Sequence, residues 1–143
     1  MGYDGFISYS HAADGRLAPM LQAGLQRLAK PWNRRRALHV FRDETGLSTN
    51  PHLWSAIEES LDDSEWFVLL ASPASAESEW VDRELAHWLA AKSADRILPV
   101  VTDGAWAWDA ARGDFTPDST AVPQSLRGVF AAEPRHLDLA LLR

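Results

Sequence analysis

The residues best placed to do chemistry lie in the stretch EWVDREL, Glu79 to Leu85, which reads as part of an amphipathic helix. Val81, Leu85, Trp88 and Leu89 fall on one apolar stripe, and helical spacing accounts for them. It leaves Glu84 over, with Trp80 one turn before it and Trp88 one turn after. Large aromatic neighbours crowd water away from a carboxylate and tend to raise its pKa, which is the environment of a working acid or base. The plain alternative is an exposed helical glutamate covered by tryptophans, and spacing does not choose between the two. Glu77, Glu79 and Asp82 need no such explanation, because carboxylates are favoured in the first turns of a helix and Glu79 can pair with Arg83 one turn on.

The segments before and after this helix decide what it faces. Tyr3 to Tyr9 is a short β-prone run around Phe6 and Ile7, opening into the polar Ser8, Ser10 and His11. Leu17, Met20, Leu21, Leu25 and Leu28 recur at helical spacing, with Asp14 as the expected N-cap and Pro31 as the stop. Leu38, Val40 and Phe41 make a second strand, and RDETGLSTNP continues neither regular structure. A second helix carries Leu53, Trp54, Ile57 and Leu61 and starts at Pro51, a residue suited to a first turn. EWFVLLA, Glu65 to Ala71, is a continuous apolar run of strand length, as expected for a parallel strand covered on both faces.

Ser72 and Pro73 lead into the helical segment of Glu84, and Ile97 to Val101 form a fourth strand. From Thr102 to Ser125 the chain reads as a long irregular loop with Trp106 and Trp108 standing alone, and such loops are usually functional or mobile. PQSLRGVF suggests a brief helix, and HLDLALL a fifth strand or the start of a last helix. Strand and helix alternate, the pattern of right-handed βαβ units around a parallel sheet. In such a sheet ligands sit outside the carboxyl ends of the strands, which gathers Ser8 to His11, Arg42 to Ser48, Ser72 to Glu84 and the loop after Val101.

Composition removes several function classes. With 143 residues the chain is one domain able to bury a core unaided. It has no cysteine, which excludes thiolate chemistry and fits a reducing compartment, so a cytoplasmic location is expected. A formal net charge of −6 argues against general nucleic-acid binding, and the cluster Lys30, Arg34, Arg35 and Arg36 reads as a solvated connection closing a helix. The longest apolar run, Trp66 to Ala71, is too short to span a bilayer, so no membrane partner is expected.

The usual ligand kits are also missing. Where a dinucleotide fold needs G-x-G-x-x-G the chain reads SYSHAADG, and there is no P-loop and no G-x-S-x-G elbow. A phospho-receiver lacks its aspartate after the third strand, which ends in Ala71, Ser72 and Pro73. The five histidines have no chelating spacing, and no metal is expected.

Three stretches together resemble the Toll/interleukin-1 receptor (TIR) domain family in its bacterial, NAD-cleaving form: YDGFISYSHAADGRLAPML, FRDETG and SPASAESEWVDREL. They occur in the family's order and separation over about two-thirds of the chain. The resemblance implies a flavodoxin-like, three-layer α/β fold with a central five-stranded parallel sheet flanked by helices. It implies that NAD+ is a substrate cleaved at its nicotinamide–ribose bond, with no separate cofactor, yielding ADP-ribose or a cyclic isomer in bacterial immune defence or signalling.

By the same resemblance Glu84 is the catalytic residue and Trp80 an aromatic platform. Phe6 and Ser8 belong to the pocket wall, Tyr9 and Ser10 lie beside it, and Arg42 and Asp43 border it. Asp43, Glu44, Thr45, Gly46 and Leu47 form the BB loop through which such domains self-associate. Thr45 stands before Gly46 where signalling members carry proline, which weakens an adaptor reading. The family's aromatic pair near the C-terminus is not evident. Residues 1–143 read as a single TIR domain, with room for a sensor or repeat domain after it as the C-terminal part of a longer protein. The alternative function is a non-catalytic scaffold that binds other TIR domains.

Overall fold

The computed structural model describes residues 2–29, 40–42 and 51–139. In chain order these form β1 (Tyr3–Ser8), α1 (His11–Asp14), α2 (Leu17–Ala29), β2 (Val40–Arg42), α3 (Pro51–Asp62) and β3 (Ser64–Ala71). There follow α4 (Pro73–Glu77), α5 (Glu79–Ala91), β4 (Ile97–Val101), β5 (Trp108–Asp109), β6 (Asp114–Phe115) and β7 (Leu137–Asp138). Short 3-10 turns occur at Ala94–Arg96 and Gln124–Leu126.

The strand order is β2-β1-β3-β4-β7, every pair parallel, so the fifth strand lies in HLDLALL as one of its two expected forms. Successive side chains along a strand point to opposite faces, and that alternation builds two cores. Phe6, Phe67, Leu69, Ala71, Ile97 and Val101 face Ile57 and Leu61 of α3 and Val81, Leu85 and Trp88 of α5. Ile7, Val68, Leu70 and Val100 face the other way, toward Ala18, Leu17 and Leu21 of α2. β1 and β3 are thus apolar on both sides, as a covered parallel sheet requires. Trp66 is the exception at 40% exposed, with the Arg96 guanidinium 4.9 Å from its ring centroid.

Three expectations are corrected. Asp14 does not cap the helix of the Leu17 stripe; it ends the separate α1, whose N-cap is Ser10, and its buried carboxylate accepts a hydrogen bond from Thr102 Oγ1 at 3.1 Å. The segment after β3 is two helices, because Ser78 adopts an extended conformation between α4 and α5. Its hydroxyl accepts from Val81 N at 3.2 Å, an N-cap bond that starts a helix anew rather than continuing one. Ser72 begins α4 with a reciprocal capping box to Ser75.

The third correction concerns residues 102–125, expected as a long irregular loop, which carry a short β-ribbon and pack into the core. β5 and β6 form a two-stranded antiparallel ribbon, and the Phe115 ring is buried in the α5-side core with Trp106 and Trp108 set edge-on to it, centroids 4.9 and 5.2 Å away. Arg127 donates to the carbonyls of Thr116 and Ser119 at 3.1 and 3.0 Å, and backbone N–H groups of Gly128 and Phe115 hold the Asp114 carboxyl below its usual pKa. Gly104, at φ 80°, lets this segment lie against α4, since an added Cβ would come within 2.7 Å of the Pro73 ring.

The far end of α5 is tied down by Lys92, whose ammonium donates to the carbonyls of Leu61 at 3.0 Å, Asp62 at 2.7 Å and Ser64. Burial lowers its pKa, opposed by the nearby Asp62, Asp63 and Glu65.

Since Phe115 fills the core beneath the 102–125 segment, Phe115→Ala is expected to lower unfolding free energy by about 3–5 kcal/mol in a urea titration. A loss below about 1 kcal/mol would show that the segment is an appendage.

Candidate functional site

The alternation that builds the core also aims the polar end of β1. Ser8 lies two residues beyond Phe6 and so points to the same side of the sheet, the side covered by α5. On α5 the buried positions are Val81, Glu84, Leu85 and Trp88, a spacing of three, four and seven residues from the first. Glu84 therefore belongs to the buried stripe rather than standing outside it, while Leu89 is only half-buried. The two elements meet where Ser8 Oγ donates to Glu84 Oε1 at 2.6 Å, a bond between residues 76 positions apart. Ser8 is 0% exposed and Glu84 1%.

An ionised carboxylate removed from water costs several kcal/mol unless its partners replace the lost hydration. Glu84 is consequently the most expensive side chain on α5 to place, and its hydroxyl donor is part of what makes the placement tolerable. Trp88 does not flank the carboxylate on the surface; its ring is core against Phe67, and its Nε1 donates to the Ser93 carbonyl at 3.2 Å.

Trp80 is half-buried on the rim, one turn before Glu84. Trp54 of α3 meets it edge-on with centroids 5.3 Å apart, and the Arg83 guanidinium lies 4.0 Å from the Trp54 centroid and 5.8 Å from that of Trp80. Among the described ion pairs Arg83 has none with Glu79, so the surface pair expected from their spacing is replaced by a cation on an indole face. His87 joins the two helices, Nε2 lying 2.9 Å from Asp62 Oδ1 and Nδ1 3.3 Å from Glu58 Oε2. Asp82 faces the opposite flank, where Oδ1 accepts from Ser125 N at 2.9 Å and fixes the 3-10 turn there.

The other candidates are dispersed. Phe6 is fully buried with its ring 5.7 Å from that of Phe67, a core position behind Ser8. Tyr9 falls on the opposite face, in the α2-side core, stacked on His11 at 4.5 Å. Ser10 caps α1 by accepting from Ala13 N at 3.4 Å. Arg42 ends β2, in register with Ile7, which sets it at the carboxyl edge of the sheet. Asp43, Glu44, Thr45, Gly46 and Leu47, like the basic cluster Lys30 to Arg36, lie outside the described residues.

A groove of about 600 Å³ opens elsewhere, lined by Trp66, Ile97, Leu98 and Phe130 among others. Trp66 and Ile97 stand near the amino ends of β3 and β4, so this groove is at the end of the sheet away from Ser8. It holds no buried polar group comparable to Glu84, and the carboxyl end of β1 is where a parallel sheet offers a ligand site. Among the described residues no group of three or more His, Asp or Glu side chains could hold a metal ion, and no helix is long and apolar enough to cross a membrane.

A parallel sheet in the order 2-1-3-4 with a further strand beside the fourth, flanked by helices, defines a flavodoxin-like α/β domain, and the buried Ser8–Glu84 contact joins its first strand to α5. The TIR domain family model matches residues 6–129, and the chain belongs to that family. Over 144 aligned residues it is 63% identical to a protein of Actinoplanes sp. named NAD(+) hydrolase ApTIR; the match takes in 100% of this chain and 20% of that protein. The chain thus spans about one fifth of the length of that relative. Among solved structures it resembles the TIR domains of the activated Roq1 resistosome recognising the pathogen effector XopQ, with TM-score 0.49, 20% identity and coverage of 69% of this chain and 57% of that one. It also resembles a prokaryotic SEFIR domain, with TM-score 0.48, 11% identity and coverage of 92% and 80%.

The Ser8–Glu84 contact predicts opposite effects of two small changes. Ser8→Ala removes the donor from a buried carboxylate and is expected to lower stability by about 2 kcal/mol. Glu84→Gln keeps an acceptor for Ser8 and removes the buried charge, so its stability should equal or exceed that of the parent. Urea denaturation of both variants measures this, and a destabilised Glu84→Gln beside a neutral Ser8→Ala would contradict it.

Proposed function

We propose that this chain is the TIR domain of an NAD+ hydrolase, cleaving the bond between nicotinamide and ribose, with Glu84 as the catalytic carboxylate. The observation that carries the reading is the buried Glu84, held by Ser8 at 2.6 Å, on a helix where Trp80 stands one turn earlier on the rim. The identity of 63% to a protein named as an NAD(+) hydrolase supports the same substrate.

The chemistry needs one carboxylate where sugar hydrolases use two. Those enzymes protonate a poor leaving group with one and supply or activate the nucleophile with the other, around an oxocarbenium-like transition state. Nicotinamide is already bonded through a cationic ring nitrogen. When the C1′–N bond breaks, its electron pair leaves with nicotinamide as a neutral molecule, and no acid is required. Positive charge grows on C1′ and the ring oxygen, and an ionised Glu84 stabilises it while accepting from the ribose hydroxyls. Water then adds to C1′ and releases a proton, giving ADP-ribose; capture by an internal nucleophile of the same substrate would give a cyclic isomer.

Trp80 serves as a platform for the substrate, and Ser8 orients the carboxylate and is free to donate to the ribose once Glu84 turns outward. Phe6 supports the strand behind Ser8, and Ser10 shapes the loop that follows. Tyr9, on the far face, retains at most an indirect role. Arg42, at the carboxyl edge of β2, would border the site, and Asp43 is proposed to share that role.

At 1% exposure Glu84 is closed to a dinucleotide in this conformation, and that is the one observation favouring the alternative, a scaffold that only binds other TIR domains. Assembly reconciles the two: self-association, with Asp43 to Leu47 as the proposed contact segment, would give the active form, and a single isolated domain would be nearly inactive. The relative's greater length supports a TIR domain that forms one part of a longer protein, with the remainder sensing a signal in the cytoplasm.

Under crowded or assembling conditions the chain is expected to consume NAD+ and release nicotinamide, and Glu84→Ala and Glu84→Gln to lose at least about a hundredfold in rate while remaining folded. Equal release by the variants would remove Glu84 from the mechanism. No release by any form when assembled would favour the scaffold.

A further inference from the structure

We infer that Arg83 is the residue that recognises the diphosphate of the dinucleotide, an inference that rests on the hydrolase reading. From Ser72 to Ala91 the chain carries Glu77, Glu79, Asp82 and Glu84 and a single Lys or Arg, Arg83. The diphosphate of a dinucleotide drawn to Trp80 by stacking carries two negative charges and therefore meets a helix whose other charges repel it. Charges a few ångströms apart near a protein surface still interact appreciably, so the sign of the nearest charge matters to binding.

Arg83 is built to supply the missing charge. It is exposed, it directly precedes Glu84, and its guanidinium carbon lies over the Trp54 ring, 4.0 Å from the centroid and 5.8 Å from that of Trp80. A cation over an indole ring keeps N–H groups available for an anion, and the planar guanidinium fork matches phosphate oxygens in a bidentate way. The described ion pairs do not engage it, whereas His87, on the same side of α5, is taken up by Glu58 and Asp62. Trp54 becomes a positioning residue, because it holds Trp80 edge-on and Arg83 face-on at once. The exposed Arg83 and half-buried Trp80 can engage the nucleotide before the buried Glu84 is reached.

The test compares two substrates that share the scissile bond, NAD+ and nicotinamide riboside, the second having no phosphate. Arg83→Met keeps an apolar chain on Trp54 and removes the charge. It is expected to raise KM for NAD+ by about tenfold to a hundredfold with kcat little changed, an effect absent with the riboside, and Arg83→Lys should recover part of it. Equal losses on both substrates would assign Arg83 to folding or to Trp54 packing and overturn the proposal, as would an unchanged KM for NAD+.

Quenching of indole fluorescence by ADP-ribose, which requires no turnover, separates this from the hydrolase reading. Quenching that weakens in Arg83→Met and falls with salt supports the diphosphate contact even where nicotinamide release is absent. Quenching identical in parent and variant, in a chain that does release nicotinamide, leaves the hydrolase standing and removes Arg83 from it.

Discussion

The hydrogen bond from Ser8 to Glu84 is the contact around which the rest of the structure is arranged. A carboxylate at 1% exposure has lost nearly all its hydration, and no helix-capping or surface-charge argument explains it, since it lies past the first turn of α5 and faces the sheet. Several features must hold together for the bond to form. β1 must carry Ser8 on the same face as Phe6, α5 must begin afresh at Ser78 so that Glu84 arrives opposite Ser8, and both ends of α5 must be fixed. Lys92 fixes one end through three carbonyls, and Asp82 fixes the flank through Ser125. A polar pair kept at a cost in stability, in a place that apolar residues could fill, is the feature on which the proposed site rests.

Beside that buried pair the described contacts between α3 and α5 combine indoles with a histidine bridge. Trp54 links α3 to α5 through Trp80 and Arg83, and His87 repeats the link one turn on through Glu58 and Asp62. These contacts hold the two helices that cover the site-bearing face of the sheet.

Much of this was legible in the chain. Phe6 with Ile7, Glu65 to Ala71 and Ile97 to Val101 read as strands because their apolar runs are short, dense and bounded by turn residues, and Pro51 marked the start of α3. Glu84 was conspicuous by its neighbours, but its true relation to the core was in the spacing all along: with Val81, Leu85 and Trp88 it completes the buried stripe. A carboxylate is not counted as an apolar stripe member, and that convention hid it. The partner was harder to see. Alternation from Phe6 puts Ser8 toward a helix, yet which helix, and which residue on it, depends on a contact spanning 76 positions. The break at Ser78 and the packing of Phe115 beneath residues 102–125 depend likewise on tertiary contacts that local propensity does not carry.

A crystal structure of the Glu84→Gln variant holding uncleaved NAD+ would locate the chemistry. The expected result is the nicotinamide ribose seated at the carboxyl end of β1, with C1′ within roughly 3.5 Å of the residue 84 side chain, a near-attack distance, and the nicotinamide or ribose against Trp80. NAD+ lying instead in the groove beside Trp66 and Phe130, with residue 84 still enclosed against Ser8, would contradict the assignment of this site.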